Sequence, residues 1–416
     1  MLNRHTSVSA VNIGASTTTA VIADVDSQGE MTLVGYGQCP TVGLSNDLIT
    51  DIRGLGGAIA ESLNQAEEMA EMQAGALVMA VGGEHVQIMK SRGGVALHQS
   101  GGARNLRSID RSDMKTALDN ASAVPISPEL HVLHVLPVNY LVDGRKVRNP
   151  EELCGTRLDV EIMVVAAKHS VLRSLMKAAE YGGYRVGKFC YRPLATSRAV
   201  LSDEEMDQGS CLIDMGSRHT DVALFRENRL VFSSTLALGG AHITDDTGHL
   251  LAVSGNEAEK LKLQYGYCGT LAGEDVQFQV TGAGAGGSLW KMVKKSTIGS
   301  EVIKPRVEEI LQEAKNTIDE FVVRENWPGG AVLTGGSSLL PGMREVAAGV
   351  FPFPVISGGN VGFENLDEVT SRPDFSTVLG LVAFDCAQKQ NRRDDVINNR
   401  FGRWCGKVIR QIHTVI

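Results

Sequence analysis

No stretch of this 416-residue chain is apolar for long enough to cross a bilayer, and its opening residues, MLNRHTSVSA, lack the apolar core of a secretory signal. The seven cysteines (Cys39, Cys154, Cys190, Cys211, Cys268, Cys386 and Cys405) are odd in number and scattered, so neither a disulfide framework nor a zinc spacing emerges, which fits reduced cytosol. The body carries no basic stripe with interleaved aromatics, and the formal net charge is −8, so nucleic acid is not an expected partner. No catalytic constellation and no metal-ligand set can be read from the spacing of the polar residues. What is present is ordinary: 43% hydrophobic and 21% charged residues, enough to bury a large core divided over two or more domains.

One further absence is local. Residues 400–416 contain no acidic side chain, against the acidic background of the chain. Phe401, Trp404, Cys405, Val408, Ile409, Ile412 and Ile416 recur at offsets of 3, 4, 7, 8, 11 and 15, which sets them on one stripe of an α-helix. Arg400, Arg403, Lys407 and Arg410 lie off that stripe. A helix with an apolar face, a Trp and a basic polar face lies flat on an anionic bilayer, and each basic side chain near such a surface is worth about 1 kcal/mol. The segment is too short and too charged to span. The polar run before it, QKQNRRDDVINN over 388–399, is expected to act as a flexible tether. The competing expectation is a last amphipathic helix packed on the body.

The body repeats one plan. Residues 9–24 (SAVNIGASTTTAVIAD) read as strand, glycine turn and strand, and residues 210–225 (SCLIDMGSRHTDVALF) repeat it. A helix is expected over 52–70 after the first unit. The recurrence half a chain apart predicts an internally duplicated α/β protein with a cleft between its halves. A third glycine signal, AVLTGGSSLL at 331–340, predicts a strand running into a turn and then a helix from Ser337 or Ser338. Amides at such a turn can bind phosphate or a ribose edge. Pro137 interrupts the strand expected over 131–141, which predicts an edge position or a bulge. A long helix is expected from about 304 to 324.

Two glycine hairpins and the TGG turn, in this order, resemble the nucleotide cleft of the actin, Hsp70 and sugar-kinase superfamily. Within it the chain is similar to the FtsA family of bacterial actin-like division proteins, over essentially its whole length. The stretches that carry the resemblance are 53–72, HVLHVLPVNY at 131–140, PLATSRAVLSDEEMDQG at 193–209, 213–224, VLTGGSSLLPG at 332–342, FSTVLGLVA at 375–383 and the amphipathic tail. The resemblance implies an α/β, actin-like (ribonuclease H-like) duplicated two-lobe fold with an inserted subdomain and a C-terminal amphipathic helix. Segments 1–83, 164–206 and 371–389 would build the base of one lobe, and 207–240 with 305–370 that of the other. Residues 84–163 would form the inserted subdomain, 241–304 a cap on the second lobe, 388–399 the linker and 400–416 the membrane helix.

The same resemblance implies ATP, with Mg²⁺, in the interlobe cleft. Carried over by position, its contacts would be Asn12, Gly14, Ala15, Ser16 and Thr17 in the first hairpin and Asp214, Gly216, Ser217, Arg218 and Asp221 in the second. Gly239, Glu259, Lys262, Gly335, Gly336 and Ser337 complete the set. The implied partners are further copies of the chain in a filament, other division proteins, and the C-terminal peptide of FtsZ, with Lys291, Lys294 and Lys295 near its groove. An anionic membrane surface would take Phe401, Arg403, Trp404, Lys407, Val408, Ile409, Arg410, Ile412 and Ile416. The implied location is the cytoplasmic side of the inner membrane at the division site.

The chain departs from the family pattern in its phosphate hairpins. Asn12 stands where an acidic residue is usual, Thr17 where a Lys is usual, and Ser217-Arg218-His219 follows Gly216 in place of further glycines. A neutral amide holds Mg²⁺ through water poorly, and losing the Lys removes a point charge on the phosphates. Arg218 can restore part of that charge through its forked donors. The expectation is nucleotide binding with weak or no hydrolysis. Two other functions stay open: an adaptor of another membrane machine of the type IV pilus kind, and a sugar-kinase-type enzyme, which needs a base and a metal-holding carboxylate.

Overall fold

The structure is a computed structural model that describes residues 6–45, 48–97, 107–271, 274–284, 287–321, 327–360 and 362–398. The expected membrane helix, with all its named contact residues, lies outside the described residues. Two mixed sheets form the body. The first is ordered Val186–Tyr191, Leu77–Val81, Thr6–Ile13, Thr17–Val25, Met31–Pro40 and Phe363–Glu364. The second is ordered Val355–Ser357, Ala331–Thr334, Ser210–Met215, Thr220–Arg226 and Arg229–Leu236. In each, an antiparallel three-strand meander continues through parallel strands on the side of its first strand. The duplication expected from the two glycine units is therefore present in the strand order itself.

Both faces of both sheets are covered, which is why these strands read as nearly unbroken apolar runs. Alternation sorts their side chains. Val8, Ala10, Val21 and Ala23 of the first sheet face a central core that also takes Leu212, Ala223, Phe225 and Val332 from the second. Between the sheets run two helices, Arg192–Val200 and Ser376–Asn398, contributing Ala195, Ala199, Val378, Leu381 and Val382. Val11, Ala20, Leu77 and Met79 face the other way, against Leu55, Ile59 and Leu63 of helix Ile52–Ala70. Asp51 caps that helix by accepting from the Arg53 amide. On the far side of the second sheet, Ile213, Val222 and Leu224 pack against Ile310, Leu311 and Ala314 of helix Lys304–Phe321.

A separate four-stranded sheet, ordered Val86–Ala96, Arg157–Lys168, Leu130–Val142 and Arg145–Val147, leaves the first lobe and carries its own core with helix Arg111–Ser122. Its pairing slips between Asn139 and Pro137, so Val138 is a bulge residue beside the proline. The cap on the second lobe comprises helices Gly240–Leu251 and Gly255–Tyr265 and the hairpin Gln277–Gly284 with Gly287–Lys294.

Two expectations are corrected. The TGG strand is followed by only a 3₁₀ turn, Gly336–Leu339; Pro341 and Gly342 intervene before the α-helix Met343–Val350. The tether expected over 388–399 is helical through Asn398. The reason is continuity: the packed first turns of Ser376–Asn398 have already met the cost of nucleation, and Gln, Lys and Arg then extend a helix readily. Lys188 anchors this helix to the first sheet through the buried Asp385, which also takes Lys389 at 2.8 Å.

Close approach of the two central helices sets a steric limit. A Cβ on Gly380 would sit 1.8 Å from the Ala195 carbonyl oxygen, whereas one on Gly57, on the exposed face of its helix, meets nothing within 4 Å. Gly380→Ala is expected to destabilise the protein by about 1–3 kcal/mol or more, through overpacking. Gly57→Ala is expected to stabilise by about 0.5–1 kcal/mol, through helix propensity. Urea unfolding of both variants checks the pair; matching midpoints would mean that the helices are not in this contact.

Candidate functional site

A cavity of about 720 Å³ lies between the lobes, within the ordinary range for small-molecule sites. Both glycine hairpins line it. In the first, the Gly14 amide donates to the Thr17 carbonyl at 2.9 Å, closing a turn with Ala15 and Ser16 at its tip. In the second, the Gly216 amide donates to the His219 carbonyl at 2.8 Å, leaving Ser217 and Arg218 at the tip. The tips meet: Ser16 Oγ donates to Ser217 Oγ at 2.6 Å, joining the lobes across the cavity mouth.

The second hairpin is seated on helix Gly240–Leu251. The amides of Gly240 and Ala241 donate to the carbonyls of Gly216 and Ser217 at 3.0 and 2.6 Å. Gly239 lies behind the hairpin, where a Cβ would meet the Ser217 carbonyl at 2.6 Å, and it is not part of the cavity wall. Lys262 and Glu259 stand on the wall beside that helix. Lys262 Nζ donates to the Gly240 carbonyl at 3.1 Å and Thr244 Oγ1 at 2.8 Å, and pairs with Glu259 at 2.7 Å.

The remaining expected residues reach the cavity through the TGG turn. Gly335 has φ +85, a left-handed conformation that favours glycine, and a Cβ there would lie 2.4 Å from Asp214 Oδ1. Gly336 and Ser337 line the cavity beyond it, and Ser337 Oγ donates to the Gly216 carbonyl at 2.8 Å.

Asp214 and Asp221 face each other across the second hairpin, in direct register. Asp214 accepts from Thr196 Oγ1 at 3.1 Å and Thr377 Oγ1 at 3.4 Å. Burial, and then the charge of Asp221, push its pKa up to about 6. Asp221 is 2% exposed; it accepts from Thr235 Oγ1 at 2.5 Å and pairs with Arg192 Nε at 3.4 Å, outside the cavity lining proper.

Several lining residues were not expected from the sequence: Gln38, Gly82, Gly83, Arg192, Arg372 and Asp374. Gln38, Arg372 and Asp374 are mutually hydrogen-bonded on the first-lobe wall. A signal for Gly82 and Gly83 was available, because AVGGEH has the same strand-then-double-glycine form as VLTGG. Of the three lysines expected near a peptide groove, Lys294 is exposed while Lys295 lines the cavity and lies 5.7 Å from the Tyr267 ring centroid. Lys294 and Lys295 thus do not share one face. Lys291 sits on strand Gly287–Lys294, and its side chain is outside the described residues.

Two duplicated lobes hinged around a cleft with facing glycine hairpins define an actin-like protein. A solved PilM–PilN type IV pilus biogenesis complex shares this fold at TM-score 0.64 and 18% identity, over 91% of this chain and 98% of that one. The ADP-bound MreB5 of Spiroplasma citri shares it at TM-score 0.54 and 13% identity, over 93% of this chain and 98% of that one. The family model described as "Cell division protein FtsA" matches residues 211–380, and that of the "SHS2 domain inserted in FTSA" matches residues 83–166. Cell division protein FtsA of Neisseria meningitidis is 28% identical over 92% of this chain and 91% of its own length. That of Bacillus subtilis is 29% identical over 94% and 87%. The chain belongs to the FtsA family of cell-division proteins.

The raised Asp214 pKa fixes a pH dependence. An acid whose folded pKa lies above its unfolded value is held protonated by the fold, so its contribution falls as pH rises from the ordinary carboxylate value of 3.8 to about 6, and is level above that. Asp214→Asn, which cannot ionise, should therefore gain stability relative to the parent as pH rises through that window. Urea unfolding at a series of pH values reads the difference, and parallel profiles for the two proteins would show that Asp214 titrates normally.

Proposed function

We propose that this FtsA-family chain binds ATP in the interlobe cleft, assembles into filaments on the cytoplasmic membrane and tethers FtsZ filaments there, recruiting later division proteins. The observation that carries the nucleotide reading is the pair of hairpin tips meeting at Ser16 and Ser217 over a cavity of about 720 Å³. The residues fit a nucleotide. Arg218 supplies positive charge at a hairpin tip, and Lys262 and Glu259 sit on the second-lobe wall beside Leu263, Leu339 and Leu340. ATP, when bound, supplies a polyanion that both hairpins can hold at once.

Hydrolysis is a different matter. Asn12 is a neutral amide, Asp214 is buried and hydrogen-bonded to two threonines, and Asp221 is paired with Arg192. Mg²⁺ on a nucleotide is held by one or two carboxylates together with the phosphates, and here both carboxylates of the second hairpin are already engaged. The donor set does not fit Mg²⁺, so nucleotide serves here as a structural ligand. Such a ligand still stabilises the state it binds by RT ln(1 + [L]/Kd), about 2.7 kcal/mol at a hundredfold excess over Kd. The same lack of a free carboxylate disfavours phosphoryl transfer to a sugar.

Membrane attachment rests on the basic amphipathic run at 400–416, and docking of the FtsZ peptide on the cap of the second lobe near Lys291 and Lys294.

Two measurements test these parts. Thermal unfolding should shift upward with ATP while phosphate release stays at background; robust turnover that disappears in Asp214→Ala would refute the structural-ligand reading. The full chain should co-sediment with anionic liposomes, and Trp404→Glu or Ile409→Glu should abolish this, because a charge on the apolar face must be desolvated on insertion. Unchanged sedimentation of both variants would place the anchor elsewhere.

A further inference from the structure

Two buried carboxylates directly opposite each other on paired strands repel, and such a pair needs a cation. Asp214 and Asp221 are that pair, at the base of the second hairpin. In a cleft built for phosphates, the cation can be a divalent metal or a side chain. Here a side chain is in place. Arg192, the first residue of helix Arg192–Val200, reaches from the first lobe to Asp221, with Nε 3.4 Å from Oδ2. Its side chain lines the cavity and is 21% exposed, so its charge is felt both by Asp221 and by anything occupying the cleft.

The backbone is shaped around this arginine. A Cβ on Gly82 would sit 2.6 Å from both Nε and Nη2 of Arg192 and 2.9 Å from Cζ. Gly83 follows with φ +74, and a Cβ there would lie 3.8 Å from Nη2 and 3.6 Å from His219 Cε1. The Nε–Nη2 edge of the guanidinium therefore occupies space that a Cβ on Gly82 would fill, with Gly83 at ordinary contact distance beside it. Position, charge partner and cradle are three separate observations on one group.

We propose that Arg192 occupies the electrostatic place of the divalent cation, so that this chain takes the metal-free nucleoside polyphosphate rather than its Mg²⁺ complex. The proposal rests on the nucleotide reading of the cleft. A guanidinium carries fixed charge and forked donors suited to phosphate, and it cannot leave with the ligand. Mg²⁺ on the phosphates would cancel part of the charge that Arg192 attracts. It would also bring a second cation toward a carboxylate that is already paired. Asn12 completes the same design from the first hairpin, contributing no negative charge for a metal to neutralise.

The test is a calorimetric titration of the full chain with ATP, once in EDTA and once in excess Mg²⁺. The parent should bind in EDTA at least as tightly as in Mg²⁺. Arg192→Gln removes the cation and exposes Asp221 to the phosphates; binding in EDTA should weaken by about tenfold or more, as for loss of a charged contact, and Mg²⁺ should restore part of it. Gly82→Ala keeps the charge but pushes the guanidinium off its cradle, so it should shift the ratio the same way. Thermal unfolding of each variant without nucleotide confirms that it is folded. Parent binding that requires Mg²⁺ would overturn the proposal while leaving the nucleotide reading intact. So would folded Arg192→Gln and Gly82→Ala proteins that both bind as the parent does in EDTA. Absence of binding in both media would sink the nucleotide reading and the proposal together.

Discussion

The structure depends on the contact between its two central helices, where Gly380 lies over the backbone of Ala195. That contact lets helices Arg192–Val200 and Ser376–Asn398 share one layer between the sheets, and so lets the two halves of a duplicated chain share one core. It also builds the base of the cleft. Thr196 and Thr377, one from each helix, lie 2.9 Å apart at Oγ1, and both donate to Asp214 of the second sheet. Arg192 reaches Asp221 from the start of the first of these helices. A packing constraint thus fixes the positions of polar groups, because close-packed interiors transmit a shift in one element to its neighbours.

The charges in the cleft follow from that placement. Two carboxylates brought into register at low exposure are tolerated in different ways: one is pushed toward its neutral form and held by hydroxyls, the other is matched by an arginine. Further along the second-lobe wall, Lys262 and Glu259 neutralise each other while tied to helix Gly240–Leu251. The first-lobe wall does the same with Arg372 and Asp374. Named walls of the cavity therefore carry internally matched charge, and the hairpin tip at Arg218 adds to it a basic group that lines the space between the lobes.

Much of the fold was legible in the chain because its local signals agree with one another. The helix expected over 52–70 has those bounds and starts just after the capping Asp51. The two glycine hairpins stood out because strand, turn and strand are contiguous. The site was legible where it is built from those turns and opaque where it is built from side chains distant in sequence. Gln38, Arg372 and Asp374 meet only when the chain has folded, and nothing in their local sequence marks them. Arg192 precedes Pro193 at a helix start, a position that usually means only a terminus. Lys295 was grouped with its basic neighbours, but leaving the strand after Lys294 turns it to the cavity. The run 388–398 misled in a different way: its polarity suggested a tether, while its context continues a helix.

The bulge at Val138 beside Pro137 has a consequence for how copies of this chain can meet. Strand Leu130–Val142 pairs on one side with Arg157–Lys168 along its length, but on the other side only Tyr140, Leu141 and Val142 are covered by Arg145–Val147. The rest has no strand partner on that side among the described residues, and Leu136 and Val138 pack on the central core. Strand edges template uncontrolled growth when they are flat and rich in donors. Here the proline has no amide to offer and the bulge throws the register off by one, so an incoming strand loses its ladder midway. This edge is therefore a poor place to add a strand, and the Val138 carbonyl is instead met by Arg229 Nη1 of the second sheet at 3.3 Å.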